Sequence, residues 1–547
     1  MRLIIRFIKT VSYLKWSQIY YRIYYRLIPV MLFFTSKPIL RKKINGWGAP
    51  SYIQPSTTDG TTFKFLNVTS QIDNGDETSK LWRYNFHYHN DLNSVVADIN
   101  FPICEGIVND WILSNQSFKS EGWEPYCISL RSVNWVKWLS RLKPEQIRPI
   151  WNDSLYNQIR VLEQRVEYHI LGNHLFANAK AFVFAGAYFG GRQGDVWLRK
   201  GIQLMKREMR EQFLIDGAHY ELSPMYHAML LWDIADVIAL HQITQLSALR
   251  TLSQDMQKIC IKSFEWLNDM NHPDKDISFF NDAAFRVAPR IGDLSNYMKW
   301  LSIELPRQPE FQKVHGKLNG ASGYAVINWQ DAHKLIFDVA KISPDYQPGH
   351  SHADTLSCEL SLFGQRVLVN TGISTYENGS RRNSERATSS HNTVVLDDEN
   401  SSDVWSSFRV ARRARPFNVE LCNKSEQVEI RGTHDGYTKR FNQRIHKRTL
   451  IAAKRLLIVR DSLRGDIAKA QAYWHFHPAV KIQQMDSTSF KVTLKEGQVV
   501  KFDIKGAKVN LENARWSCEF GLKIPNKRMC LDITGSECVT KLEWGCT

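Results

Sequence analysis

Three things are missing from this chain of 547 residues: paired cysteines, a long apolar run, and any repeat or low-complexity tract. Its nine cysteines are odd in number, scattered, and never spaced as CxxC. That excludes a disulfide framework and a cysteine-rich zinc module. Cys530, Cys538 and Cys546 fall close together near the end, a spacing that defines no pairing. The apolar stretch Leu27–Phe34 is too short to span a bilayer. It also lies too far along for the core of a secretory signal, so no cleavable signal is expected. Acidic residues are scarce as well: 55 Asp and Glu stand against 71 Lys and Arg, a formal net charge of +16. An excess of that size is either an ordinary solvated basic surface or the footprint of a polyanionic partner. With no helix-turn-helix, RRM or zinc-finger pattern, nucleic acid drops out, leaving anionic membrane and acidic polysaccharide.

What is present divides the chain in three. Residues 1–45 form a basic, aromatic, amphipathic segment, expected to dock on the next domain or peripherally on a membrane surface. Residues 46–315 read as helical. "SLRSVNWVKWLSRL" (129–142), "SLYNQIRVLEQRVEYHI" (154–170), "NHLFANAKAFVFAGAYFG" (173–190) and "SPMYHAMLLWDIADVIALHQI" (223–243) repeat apolar residues at three-to-four spacing, with short turns between. Short connections imply antiparallel neighbours, as in a bundle or a helical toroid. Residues 316–547 change period: "HKLIFDVA", "LSCELSLFGQRVLVN" and "SFKVTLKEGQVVKFDI" predict an antiparallel sandwich. Helices followed by strands make two domains, and their junction is where a cleft is expected. Seventeen Trp, 20 Tyr and 27 Phe fill such cores and also offer stacking faces for sugar rings.

Several residues could carry chemistry. "PGHSHADTLS" (348–357) holds His350, His352 and Asp354; if extended, all three share one face. Asn173 and His174 begin a helix, where Asn is a common cap and free backbone N–H groups favour an anion. Ser223 and Pro224 read as N-cap and first helical residue, which puts Tyr226 in the first turn beside His227, with His219 and Tyr220 just before. His352, Asn370 and His391 could converge on a metal from three strands, with Arg381, Arg382 and Arg386 adding positive charge.

"GNHLFANAKA", "DGAHYELSPMYH", "GHSHADTLSCEL" and "ERATSSHNTVVLD" stand in this order and resemble the motifs of the heparinase II/III-like polysaccharide lyases. The resemblance covers nearly the whole chain. It implies an incomplete α/α toroid followed by an antiparallel β-sandwich, and β-elimination on a uronate polymer. Asn173 and His174 then match carboxylate-binding positions, Tyr226 the proton-transferring tyrosine, and His350 the complementary base or acid. Tyr220, His227 and Arg386 fall beside them as substrate contacts. The resemblance assigns His352, Asn370 and His391 to a structural zinc, with Asn370 where the family usually has aspartate; a neutral amide should lower zinc affinity. A tyrosine with its ordinary pKa near 10 needs cationic neighbours to act as a base, and this basic site is expected to supply them.

Two other readings stand beside the lyase. One is a weakly active or non-catalytic protein that binds or trims glycan during exopolysaccharide assembly, at the inner membrane or in the cell envelope. The other is a metal-dependent hydrolase built on His350, His352 and Asp354, which leaves the other three motifs unexplained.

Overall fold

A computed structural model describes residues 2–31, 37–41, 46–71, 78–118, 120–307, 310–439 and 442–545. Cys546 and residues 32–34 of the apolar stretch lie outside the described residues. Two short helices come first, α1 (Arg2–Val11) and α2 (Trp16–Leu27). The helical half then runs α3 (Lys80–Tyr88), α4 (Phe101–Ser114), α5 (Pro125–Arg141), α6 (Pro149–Gln164) and α7 (Gly172–Tyr188). It continues with α8 (Gly191–Gln212), α9 (Pro224–Thr244), α10 (Arg250–Met270) and α11 (Ile291–Trp300). Proline occupies the first helical position of α5, α6 and α9, where its missing N–H is harmless and its φ is already helical. Helices α7 and α9 are apolar on nearly every side and buried along most of their length, so they form the inner layer against which α5, α8 and α10 pack. The result is an incomplete α/α toroid.

The strands make an antiparallel sandwich. A five-stranded sheet runs in chain order from His315–Asn319 to Gln365–Leu368. An eight-stranded sheet carries Ile445–Ala453, Leu456–Arg464 and Glu537–Trp544 at its centre, and a four-stranded sheet completes the layers. In those central strands burial alternates residue by residue, the mark of a sheet with one face on the core. Val459, Leu450 and Leu542 meet there with Trp474 and Phe337 from the other sheets.

The two halves share an apolar boundary. Val369, Ile373, Trp516 and Phe520 of the β half belong to the same buried cluster as the toroid core. A second cluster joins Leu222, Trp266 and Phe280 to Tyr324 and Ile336. Such a seam fixes the halves rigidly and brings the N-terminal ends of α7 and α9 against the loops that precede the strand Cys358–Leu362 and the helix α12 (Ser380–Glu385).

Candidate active site

Tyr226 and His350 meet across the seam, their rings 4.0 Å apart between centroids and tilted by 31°. Tyr226 is the third residue of α9. Ser223 caps this helix as expected, its hydroxyl accepting the Tyr226 N–H (3.2 Å) and donating to the carbonyl of Asp282 (2.6 Å). The capping residue therefore ties the helix start to the loop of Asp282, whose N–H in turn donates to the carbonyl of His350 (2.9 Å). That segment is not a strand: residues 348–357 are turns and irregular backbone, and the strand begins only at Cys358. His350 and His352 nonetheless reach one partner together, because turns replace the alternation assumed for an extended chain.

The partner is Asp282. Its Oδ2 accepts from Nδ1 of His350 (2.8 Å), its Oδ1 accepts from Nε2 of His352 (2.8 Å), and Arg382 grips both oxygens at 2.5 and 2.7 Å. Burial opposes a charge on Asp282, but Arg382 and the two imidazoles outweigh it and hold the carboxyl well below its ordinary range. A charged carboxylate only accepts, so Nδ1 of His350 carries a proton and Nε2 is the nitrogen turned away from Asp282. Nε2 lies 3.5 Å from Oε2 of Glu221, whose Oε1 accepts the backbone N–H of Asn173 (3.2 Å). Burial pushes the Glu221 carboxyl upward.

Asn173 and His174 occupy the first turn of α7, but the cap is Leu171, so Asn173 is not the capping residue. The amide oxygen of Asn173 is buried without a hydrogen-bond partner. His174 Nδ1 is bound to Glu167 (2.9 Å) and its ring lies 4.3 Å from Tyr126. Burial disfavours its charge, yet the Glu167 carboxylate prevails and the net shift is upward, which favours an imidazolium near the carboxylate site.

Backbone strain marks each approach to the cluster. Leu171 has φ 70° and ψ −155°, a region L-residues avoid, and Gly172, Leu222 and Asn281 all have positive φ directly before or near site residues. At Gly172 an added Cβ would stand 2.1 Å from Gln347 Oε1 and 2.6 Å from Glu221 Oε1.

Four expectations need correction. Arg386 does not face the groove: it is fully buried and its guanidinium donates to the carbonyls of Ser351, Ser406 and Ser407. His227 is buried too, with Nδ1 accepting the His219 N–H (3.0 Å) and Nε2 donating to the Ser263 carbonyl (2.8 Å). Both hold backbone in place rather than substrate. Asp354, expected on one face with the two histidines, hydrogen-bonds to neither; it accepts the Asn281 N–H (3.3 Å), and Asp282 orients the imidazoles. Finally, the surroundings do not make Tyr226 more acidic. Burial, Tyr376 and Asp282 push its phenol well above the usual value, because Asp282 has already neutralised Arg382. Tyr220 is buried as well, its hydroxyl donating to Gln347 (3.4 Å).

The metal positions divide. His352 Nδ1 and His391 Nε2 face each other at 3.3 Å, about the spacing of two ring nitrogens across a tetrahedral zinc with bonds near 2.0–2.1 Å. Asp282 on the far nitrogen of His352 is the outer partner that a zinc-bound imidazole usually has. Asn370 is not joined to either ring by a hydrogen bond; its Oδ1 accepts the Asn392 N–H (3.2 Å), and its other amide atom is buried without a partner. Only the two imidazoles face one another, and the Asn370 amide oxygen is taken by the Asn392 N–H. Among the described residues no group of three His, Cys, Asp or Glu gathers for a metal.

Sequence reasoning missed Asp282, Glu221 and Tyr376 as site residues and gave Arg382 only a share in the positive charge. Tyr376 OH lies 3.0 Å from Tyr226 OH. The signal for Asp282 was present in "SFFNDAAF", two polar residues inside an apolar run.

Comparison with known proteins agrees with this layout. The family description "Heparinase II/III N-terminus" matches residues 115–312, and "Heparinase II/III-like, C-terminal" matches residues 313–545. The chain belongs to the heparinase II/III-like family. It is 25% identical over 250 residues to a heparin-sulfate lyase of Bacteroides stercoris, covering 43% of this chain and 37% of that one. A heparin-sulfate lyase of Pedobacter heparinus is 26% identical over 247 residues, covering 42% and 36%. The matching part thus spans little more than a third of these curated relatives. Among solved structures, a heparinase III superposes with TM-score 0.69 at 17% identity, covering 89% of this chain and 80% of the other. A Streptomyces coelicolor A3 chondroitin AC lyase superposes with TM-score 0.51 at 9% identity, over 90% and 77%. At these identities the likeness establishes the toroid-plus-sandwich fold of this heparinase II/III-like chain.

Proposed function

We propose that this heparinase II/III-like protein is a polysaccharide lyase that cleaves an acidic, uronate-containing polymer by β-elimination. The observation that carries the reading is the contact of Tyr226 with His350 at one seam, ringed by Asp282, Glu221, Asn173 and His174. The proton to be removed lies on C5, beside the uronate carboxylate, and is weakly acidic until the developing enolate is stabilised. The amide nitrogen of Asn173 and the ring of His174, at the start of α7, are donors placed in advance for that charge. His350, oriented by Asp282 with its Nε2 turned away from that carboxylate, takes the C5 proton. Tyr226 rests protonated and delivers its proton to the O4 leaving group as the C4–O bond breaks; Tyr376, at its hydroxyl, is placed to hand it the next one. Asn370 keeps its amide oxygen on the Asn392 N–H, so His352 and His391 are the residues that would hold a zinc. Bound there, it would supply a structural link between loops, and no step passes through it.

The test is incubation with heparan sulfate, hyaluronan, chondroitin sulfate, alginate and bacterial capsular polymers, following the ultraviolet absorbance of a C4–C5 unsaturated uronate. A rise with at least one polymer, abolished in His350→Ala, is the expected outcome. Shortening without that chromophore would mean hydrolysis, and binding without shortening would leave a glycan-assembly scaffold.

A further inference from the structure

Helix α2 carries its apolar stripe on the outside. Trp16, Tyr20, Ile23, Tyr24 and Leu27 recur at helical spacing, and all are exposed, Trp16 by 85% and Leu27 by 71%. The opposite face is the one that packs. Gln18 is buried and donates to the Tyr346 carbonyl (3.2 Å), the Tyr21 ring lies 4.7 Å from Tyr168, and Tyr25 donates to the Val166 carbonyl (2.5 Å). Burying a glutamine while leaving a tryptophan in water inverts the pattern of a surface helix. Helix α1 extends the patch with Leu3, Ile4, Phe7 and Ile8, all more than half exposed. An apolar surface of this extent, open among the described residues, marks a place of contact.

Charge selects the partner. The first 58 residues hold ten Lys and Arg and no Asp or Glu, and of these Arg6, Lys15 and Arg41 pair with carboxylates of the body. A second copy would set that charge against itself, whereas an anionic lipid surface complements it. With 10 and 12 residues, α1 and α2 are too short to cross a bilayer, and no helix among the described residues is long and apolar enough to do so. Both suit the interfacial plane, where Trp and Tyr sit at headgroup depth.

We propose that α1 and α2 form a docking surface for an anionic phospholipid bilayer. The pair is fastened to both halves of the protein, so it docks the body and not a loose tail. Arg6 pairs with Asp403 (2.8 Å), Trp405 donates to Thr10 (3.2 Å), and Lys15 pairs with Glu211 (2.6 Å) while lying 3.7 Å above the Tyr346 ring. Tyr346 precedes Gln347, which receives the Tyr220 hydroxyl. The inference stands independently of the lyase reading.

Flotation of the full chain with vesicles of phosphatidylcholine, and of phosphatidylcholine mixed equally with phosphatidylglycerol, tests it. Binding is expected to the mixed vesicles only, to weaken as salt rises, and to fall at least about tenfold in Trp16→Ser/Ile23→Ser/Leu27→Ser. The triple variant is expected to keep the parent's thermal midpoint, since these side chains pack on nothing in the body. No binding to either vesicle, or equal binding to both, would overturn the proposal. So would a concentration-dependent dimer, seen by sedimentation, that the triple variant abolishes.

Discussion

Single atoms decide which residue takes the proton and which gives it. Tyr226 is buried beside a second phenol and a neutralised carboxylate, so it holds its proton, and His350 is left as the base. Tyr226→Phe is expected to lower kcat by about 10²–10⁴-fold with little change in KM, measured by the unsaturated-uronate absorbance. Asp282 acts through the imidazole. Asp282→Asn leaves Arg382 fully buried and unpaired, a loss of about 3–5 kcal/mol readable in the thermal midpoint. Adding Arg382→Met is expected to restore much of that stability and none of the activity. Recovery of both would remove Asp282 from the mechanism.

At the scale of elements, the site is assembled from helix starts and the strained turns that feed them. Gly172 has φ +59° and no room for a Cβ beside Gln347 and Glu221. Gly172→Ala is expected to cost about 1–3 kcal/mol in urea denaturation and to disturb the link from Asn173 to Glu221. Gly172→Ala/Gln347→Ala should recover part of the stability, because it relieves the clash with Gln347 and leaves the close approach to Glu221 and the φ strain. The helix starts themselves were legible from the chain. Ser223 and Pro224 in front of an apolar helix announced Tyr226 in its first turn. The HxH segment misled, since a period of two presumes extended backbone and these residues turn. Arg386 and His227 misled for another reason: an arginine or histidine reads alike whether it faces solvent or a buried carbonyl.

Across the whole molecule, many neutral histidines are buried, and that sets the response to acid. His227 is pushed down to about 4 by burial, and His434, deep in the sandwich against His446, lies well below its ordinary value. An unfolded histidine titrates near 6.5, so between the two values the unfolded chain binds more protons and stability falls with falling pH. His227 alone should remove about 2 kcal/mol between pH 7 and pH 5. The urea midpoint is expected to drop steadily below pH 6.5, and a midpoint that rises on acidification would contradict this assignment. The basic surface adds a separate effect. Added salt should raise KM for an acidic polymer and leave kcat unchanged, because screening weakens encounter and not the buried site.

The period change from helix to strand, the capped start of α9 and the four ordered motifs were all written in local sequence, because hydrophobic spacing and capping are properties of neighbouring residues. The grip of Asp282 on His350, His352 and Arg382 was not. It joins side chains separated by 68, 70 and 100 positions. Only packing of the two halves along an apolar seam brings them within hydrogen-bond distance. Local pattern thus determined which elements form and where their reactive side chains sit along the chain. Tertiary structure decided which of those side chains share a charge, and so which one can move a proton.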